Sequence, residues 1–267
     1  MGKIYEALMK AEEGEQLKAV SRQQALVFAD GFDPRNELVV LNRPGSAVAE
    51  QFRFWRSQVV WPQDGNSPRT IQITSSLPGE GKTFAAANLA IAISQGLDEY
   101  VLLVDMDLRN SRLNKVFGFH ESPPGLSEHL AENSPLEDLL LKSSLPKLTV
   151  LTAGSQVQNP AELISSKRMK AFVEEVRNRY PDRYVIIDSP PIEMAPESLV
   201  IANEVDGIFL MVLKASTPRD TLASSLERLK REKMLGIIFN GDLKSQKYYQ
   251  AYKSGKGSGF GYGYAYD

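Results

Sequence analysis

Between residues 70 and 240 the chain alternates two hydrophobic patterns. Ile71-Gln72-Ile73-Thr74, Tyr100 to Val104, Tyr184 to Ile187, Gly207 to Leu213 and Leu235 to Phe239 are short runs rich in β-branched and other apolar residues. Short, nearly continuous apolar runs predict strands covered on both faces. Between them lie segments of helical period: Phe84 to Ser94, rich in Ala, Leu and Ile, then Ser165 to Tyr180 and Pro218 to Lys233. Leu148 to Leu151 reads as one more short strand, and residues 110–147 as helical pieces and loops. This alternation predicts an α/β fold with a doubly wound, mainly parallel sheet, whose ligand site lies at the carboxyl ends of the strands. There is no internal repeat.

Upstream, Ser46 is placed to cap a helix over Ala47 to Val60, with Glu50 in its first turns. Val48, Phe52, Trp55 and Val59 form one narrow apolar stripe on it, and Glu50, Arg53 and Arg56 point outward from that stripe. Leu38-Val39-Val40-Leu41 reads as an extended piece after polar residues broken at Asp33-Pro34. Residues 3–13 put Ile4, Leu8 and Ala11 on one side of a short amphipathic helix, which is marginal alone in water and docks on the body, a partner or a membrane surface. At the other end, residues 248–267 hold six of the ten tyrosines among glycines, with no period able to build a core element. That predicts disorder. The chain thus divides into an amphipathic helix at 1–14, a linker at 15–45, an α/β domain at 46–243 and a Tyr/Gly tail at 244–267.

Composition narrows the function. A chain of 267 residues builds one substantial core. Its net charge of −2 argues against a nucleic-acid surface. Zero cysteines exclude disulfides, thiolate catalysis and Cys-based metal sites. No stretch approaches the roughly 18–20 apolar residues of a membrane span. Met1-Gly2-Lys3 opens no signal core, and Glu6 spoils a myristoylation pattern. A soluble chain is expected, with any membrane role exerted through a partner.

The candidate chemistry sits after the first strand. Ser76-Leu77-Pro78-Gly79-Glu80-Gly81-Lys82-Thr83 joins a strand to a helix, the context of a phosphate-binding P-loop. Gly79 and Gly81 let the backbone turn and bring its N–H groups to phosphate oxygens, and the helix start adds partial positive charge. Lys82 would reach the β and γ phosphates, and the Thr83 hydroxyl would bind Mg²⁺. The motif's first glycine is Ser76 here. Asp105, Asp107 and Asp188 each follow a buried strand, so they share the P-loop's sheet edge. Carboxylates gathered there repel unless protons or a cation neutralise them. Asp188 is placed to hold Mg²⁺ directly or through water. Asp105 and Asp107 are left with two tasks, ordering metal-bound waters or accepting a proton from an attacking nucleophile. His120 and His129 have no ligand partners at useful spacing and read as structural or surface.

Taken together and in this order, the Ser76–Thr83 loop (Walker A), Val104-Asp105-Met106-Asp107-Leu108-Arg109 (Walker A′) and Ile186-Ile187-Asp188-Ser189-Pro190-Pro191 (Walker B) resemble the bacterial tyrosine kinase (BY-kinase) family. Glu50, Arg53 and Arg56 are similar to its oligomerisation motif, and the terminal tyrosines to its autophosphorylated cluster. The likeness runs from about residue 38 to the C-terminus.

The resemblance implies a P-loop NTPase fold and an ATP- and Mg²⁺-dependent tyrosine autokinase of capsule and exopolysaccharide synthesis and export. ATP would lie against Pro78, Gly79, Glu80, Gly81, Lys82, Thr83 and Phe84, with Asn240 at the adenine. Mg²⁺ would lie at Thr83, Asp105, Asp107 and Asp188, and Lys82, Asp105 and Asp107 would carry the transfer. The acceptors would be Tyr248, Tyr249, Tyr252, Tyr262, Tyr264 and Tyr266 of a neighbour in a ring-forming homo-oligomer. A separate membrane-bound polysaccharide co-polymerase would activate the kinase at the inner face of the plasma membrane, and a cognate tyrosine phosphatase would reverse it. Phe84 stands where a small hydroxyl residue is common. Two other functions fit the same fold. A septum-site or plasmid-partition type ATPase carries a lysine where Leu77 stands here, and a non-enzymatic nucleotide-binding scaffold would produce no phosphotyrosine.

Overall fold

The computed structural model describes residues 37–62, 65, 67–119, 123–178 and 183–241. The expected N-terminal helix, the tyrosine tail and His120 lie outside these residues. Among the described residues seven strands form one sheet: β1 (Thr70–Ser75), β2 (Tyr100–Asp105), β3 (Leu140–Lys142), β4 (Leu148–Leu151), β5 (Arg183–Asp188), β6 (Gly207–Leu213) and β7 (Met234–Asn240), in the order β3-β4-β2-β5-β1-β6-β7. All neighbours are parallel except β3, which runs antiparallel to β4. The parallel pairs bring the carboxyl ends of β1, β2 and β5 to one edge, where the expected site residues gather.

Helices cover both faces, as parallel sheets require. On one face lie α1 (Val39–Asn42), α2 (Ala47–Val60) and α3 (Lys82–Ser94). α3 is buried from Ala85 to Ser94, because it is covered by the sheet on one side and by α2 on the other. Its small alanines allow that close approach. α2 starts at Ser46, whose side chain accepts from Ala49 N at 3.2 Å, and it buries Ala49, Phe52, Trp55 and Val59. Trp55 meets Phe209 of β6 edge to face, with ring centroids 4.8 Å apart. Between β2 and β4 come α4 (Leu113–Val116), α5 (Leu126–Glu132) and α6 (Leu136–Leu139). The second face carries α7 (Pro160–Ile164), α8 (Lys167–Asn178), α9 (Glu197–Glu204) and α10 (Arg219–Arg228).

Four expectations need correction. Leu38 to Leu41 is not extended: Val39–Asn42 is one helical turn, because Val40 N donates to Asn88 Oδ1 (3.0 Å) and Leu38, Val39 and Val40 pack on α2 and α3. The folded body therefore begins before residue 46. The 110–147 region contains a strand, β3, whose three residues are too short to show a period. The helix expected to run from Pro218 to Lys233 stops at Arg228. Leu229 turns extended to bury its side chain, and Arg231–Lys233 forms a separate 3₁₀ turn.

Candidate active site

At the end of β1 the chain turns through Ser76 to Gly81 and enters α3 at Lys82. Gly79 and Gly81 adopt φ of 81° and 94°, conformations that a side chain strains. A Cβ on Gly81 would also collide with the Asn240 amide. Ser76 is not in the left-handed region, so serine serves at the motif's first glycine position without backbone strain. The loop is braced by one local and two long-range contacts. The Glu80 carboxylate accepts from Leu77 N (2.9 Å) and from the Thr217 hydroxyl, and the Glu80 carbonyl accepts from Asn240 Nδ2 (3.1 Å). Glu80 thus turns its side chain away from any ligand, and Asn240 supports the loop from the end of β7.

Pro78, Gly79, Gly81, Lys82, Thr83 and Phe84 line a cleft of ≈ 310 Å³, together with Asp107, Arg109, Asn110 and Arg112 from the segment after β2. Glu37 also lines it, held by its carbonyl to Asn88 Nδ2 (2.6 Å). Phe84 sits edge to face with Phe52, at 5.7 Å between ring centroids, so this aromatic residue packs on α2.

The three aspartates come together but differ in surroundings. Asp105 and Asp188 are register partners on neighbouring strands, which sets their side chains on one face. Asp105 is fully buried and accepts from the Ser111 hydroxyl (2.8 Å), Asp107 N (3.0 Å) and Leu113 N (3.3 Å). Burial pushes its carboxyl up to about 6; the Ser111 hydrogen bond opposes the rise and Asp107 adds to it. Asp107 faces the cleft and accepts from Asn110 N at 3.0 Å. Burial raises it too, against the attraction of Lys82. Asp188 is raised well above the ordinary carboxylate range by burial and then by Asp105, against Lys82 and a hydrogen bond from Thr83.

Asp188 Oδ1 is buried without a partner. An orphaned carboxylate oxygen beside the Thr83 hydroxyl, among acids that repel one another, suits a small divalent cation. Among the described residues no group of three or more acidic or imidazole ligands is arranged to hold a metal. A cation there would therefore complete its shell with water and phosphate oxygens, as Mg²⁺ commonly does.

Arg109 joins the site from the segment after β2. Its guanidinium lines the cleft and is held by Glu197, a buried residue at the start of α9, through Nε and through Nη2 at 3.4 Å. Glu197 carries no sequence signal, and only the packing of α9 brings it here. The oligomerisation candidates also divide. Glu50 pairs with Arg53, which donates to Pro44 O (2.8 Å), and both side chains are partly exposed. Arg56 does not point outward: it lies half-buried, 3.7 Å from Glu99 and 5.4 Å from the Trp61 ring centroid. His129 binds Ser134 O through Nδ1 (2.9 Å), a structural contact.

Residues 68–208 match the family model described as an AAA domain. The chain is similar to the tyrosine-protein kinase YwqD of Bacillus subtilis (strain 168), 35% identical over 209 residues, covering 78% of this chain and 86% of that protein. Among solved structures it resembles the kinase domain of the Escherichia coli tyrosine kinase ETK, with a TM-score of 0.70 and 26% identity over 86% of this chain and 85% of that one. The septum site-determining protein MinD of Pyrococcus horikoshii, at 22% identity and a TM-score of 0.51, covers 66% of this chain and 72% of its own and shares the fold. Among the described residues no helix is long and apolar enough to cross a membrane.

Proposed function

Because the chain belongs to the bacterial tyrosine-protein kinase family, we propose that it transfers the γ-phosphoryl group of ATP to tyrosines in the tail of a neighbouring copy. The observation that carries this reading is the single cleft shared by Lys82, Thr83 and Asp107. Lys82 neutralises the phosphates, and the loop and helix-start N–H groups orient them. Thr83 and Asp188 would hold Mg²⁺, which when bound would supply charge neutralisation to the phosphates. Asp105 holds the loop that presents Asp107. Asp107 accepts the phenolic proton, and its raised proton affinity narrows the gap to a phenol of pKa about 10. Positioning and charge then account for most of the rate.

The wider setting follows from the same reading. The kinase acts in the cytoplasm, in a homo-oligomer whose contact includes Glu50 and Arg53. It is activated at the membrane by a polysaccharide co-polymerase, reversed by a tyrosine phosphatase, and regulates capsule or exopolysaccharide export. The test is to incubate the purified full chain with ATP and Mg²⁺ and map modifications by mass spectrometry. Phosphate on Tyr248 to Tyr266 is expected. ATP hydrolysis with no phosphotyrosine would overturn the reading in favour of a cycling ATPase, and binding without turnover would indicate a scaffold.

A further inference from the structure

Met194 is a large apolar side chain left 62% exposed in the cleft that holds Lys82 and Asp107. Pro190, Pro191, Ala195 and Val116 line the same cleft. Pro191, Met194 and Ala195 share one turn and make an apolar edge in a site whose remaining lining is largely charged or polar.

The turn that carries Met194 is pinned on every side. Ile192 N donates to Ser75 O (2.8 Å) and Glu193 N to Ser76 O (3.3 Å), the residues where the phosphate loop begins. Met194 N and Ala195 N both donate to Pro191 O, at 3.2 and 3.1 Å. Glu193 accepts from the Ser225 hydroxyl (2.8 Å) and pairs with Arg228 (3.3 Å), and Ile192 fills the core. With Ile192 taking the inward position, Met194 is held in the cleft by the backbone and stays largely exposed there.

We propose that Met194, on the turn it shares with Pro191 and Ala195, seats the ring of the incoming tyrosine and so selects tyrosine over serine or threonine. This rests on the kinase reading above. A phenol is an apolar ring with a polar tip. It needs an apolar platform beside an ionic centre, and this cleft provides both. The thioether is adaptable and attracts aromatic rings. Asp107 is only 7% exposed. A tyrosine hydroxyl reaches it from the far end of a ring lying on Met194. A serine hydroxyl would have to bring its own backbone into the charged cleft, and would leave the platform uncovered. In the transfer the phenolic oxygen bonds to the γ-phosphorus and its proton passes to the Asp107 carboxylate. The bond from that phosphorus to the β–γ bridging oxygen breaks, and ADP leaves with the electron pair.

The experiment uses the full chain, with a peptide copying residues 244–254 as acceptor and a copy carrying serine at its three tyrosine positions as control. Met194→Ala and the near-isosteric Met194→Gln should raise KM for the tyrosine peptide roughly three- to tenfold. At saturating peptide kcat should change less than about twofold, and the ATP dissociation constant should stay as in wild type, since only ring seating is lost. Met194→Leu should keep a near-wild-type KM. An unchanged KM in both the Ala and Gln variants, while wild type labels the peptide, overturns this proposal alone. So does a loss of ATP affinity equal to the loss in KM, which would put Met194 on the nucleotide. A wild type that hydrolyses ATP yet labels no tyrosine overturns the kinase reading, and this proposal with it.

Discussion

At Asp107 the carboxylate accepts backbone N–H groups of Asn110 and Arg109 and opens to the cleft, whereas Asp105 accepts from the Ser111 hydroxyl, Asp107 N and Leu113 N and opens to nothing. Substitutions should separate the two. Asp107→Asn should lower phosphoryl transfer by about 10²–10⁴-fold with little change in thermal midpoint. Asp105→Ala should cost roughly 1–3 kcal/mol of stability, because Ser111 and Leu113 N lose their acceptor. Denaturant curves and transfer rates on the same preparations decide; equal stability losses in both variants would refute the division of tasks. Lys82→Met should abolish transfer and leave the fold intact, since it removes phosphate-facing charge from the start of α3 and not core volume.

The buried acids also set a pH dependence. The Asp105 carboxyl lies at about 6 in the fold, above the ordinary value of 3.8 that the unfolded chain presents. A raised carboxyl binds its proton more tightly folded than unfolded. The stability it contributes is fully present below about pH 4 and is lost as pH rises through about 6. Without metal and nucleotide, wild type should therefore lose stability relative to Asp105→Asn between pH 4 and pH 7. Mg²⁺ with ATP should flatten that difference by favouring the charged acids. Parallel urea-midpoint curves for the two proteins would exclude the effect.

Among the elements, α2 packs on the core with one face and carries the proposed subunit contact on the other. Its inner face is fixed by aromatic packing of Phe52 and Trp55 against Phe84 and Phe209. Trp55→Ala should cost about 3–5 kcal/mol, and Ser46→Ala about 1 kcal/mol through the lost cap. Its outer face presents Glu50 and Arg53, an exposed pair of little intrinsic value to stability. Glu50→Ala with Arg53→Ala should thus shift the unphosphorylated protein toward monomer while the unfolding midpoint barely moves. Light scattering at matched concentrations tests this, and an unchanged mass would remove these residues from the contact. Arg56→Ala should behave differently. It breaks the Glu99 pair within the chain, so any loss of assembly should come with a loss of stability.

At the scale of the whole molecule, β7 is an edge strand that ends at Asn240, and the tyrosine-bearing residues follow it in the sequence. Truncation after Asp242 removes the proposed acceptors and leaves the described lining of the cleft in the chain. The truncated protein should bind ATP as wild type does, accept no label itself, and still label a tail peptide supplied in trans. Label on the truncated chain equal to that on the full chain would move the acceptors elsewhere.

The amino-acid sequence determined much of this by itself. The strand and helix alternation, the Lys82 loop and the three aspartates at strand ends are local patterns, set by side-chain periodicity and contiguous motifs, so they could be read without a structure. The helix at Ala47–Val60 was legible for the same reason, since its cap and stripe lie within fourteen residues. What only the tertiary structure decided depends on how distant elements register and pack. Glu197 reaches Arg109 across 88 positions, and Asn240 braces Glu80 across 160. Asn88 folds residues 37–40 onto the body across 48 positions, where the local sequence suggested an extended piece. Which aspartate faces the cleft, and that Arg56 turns inward, follow from the packing around each side chain. No period or spacing along one segment records such choices, because the partner's identity and angle are set elsewhere in the chain.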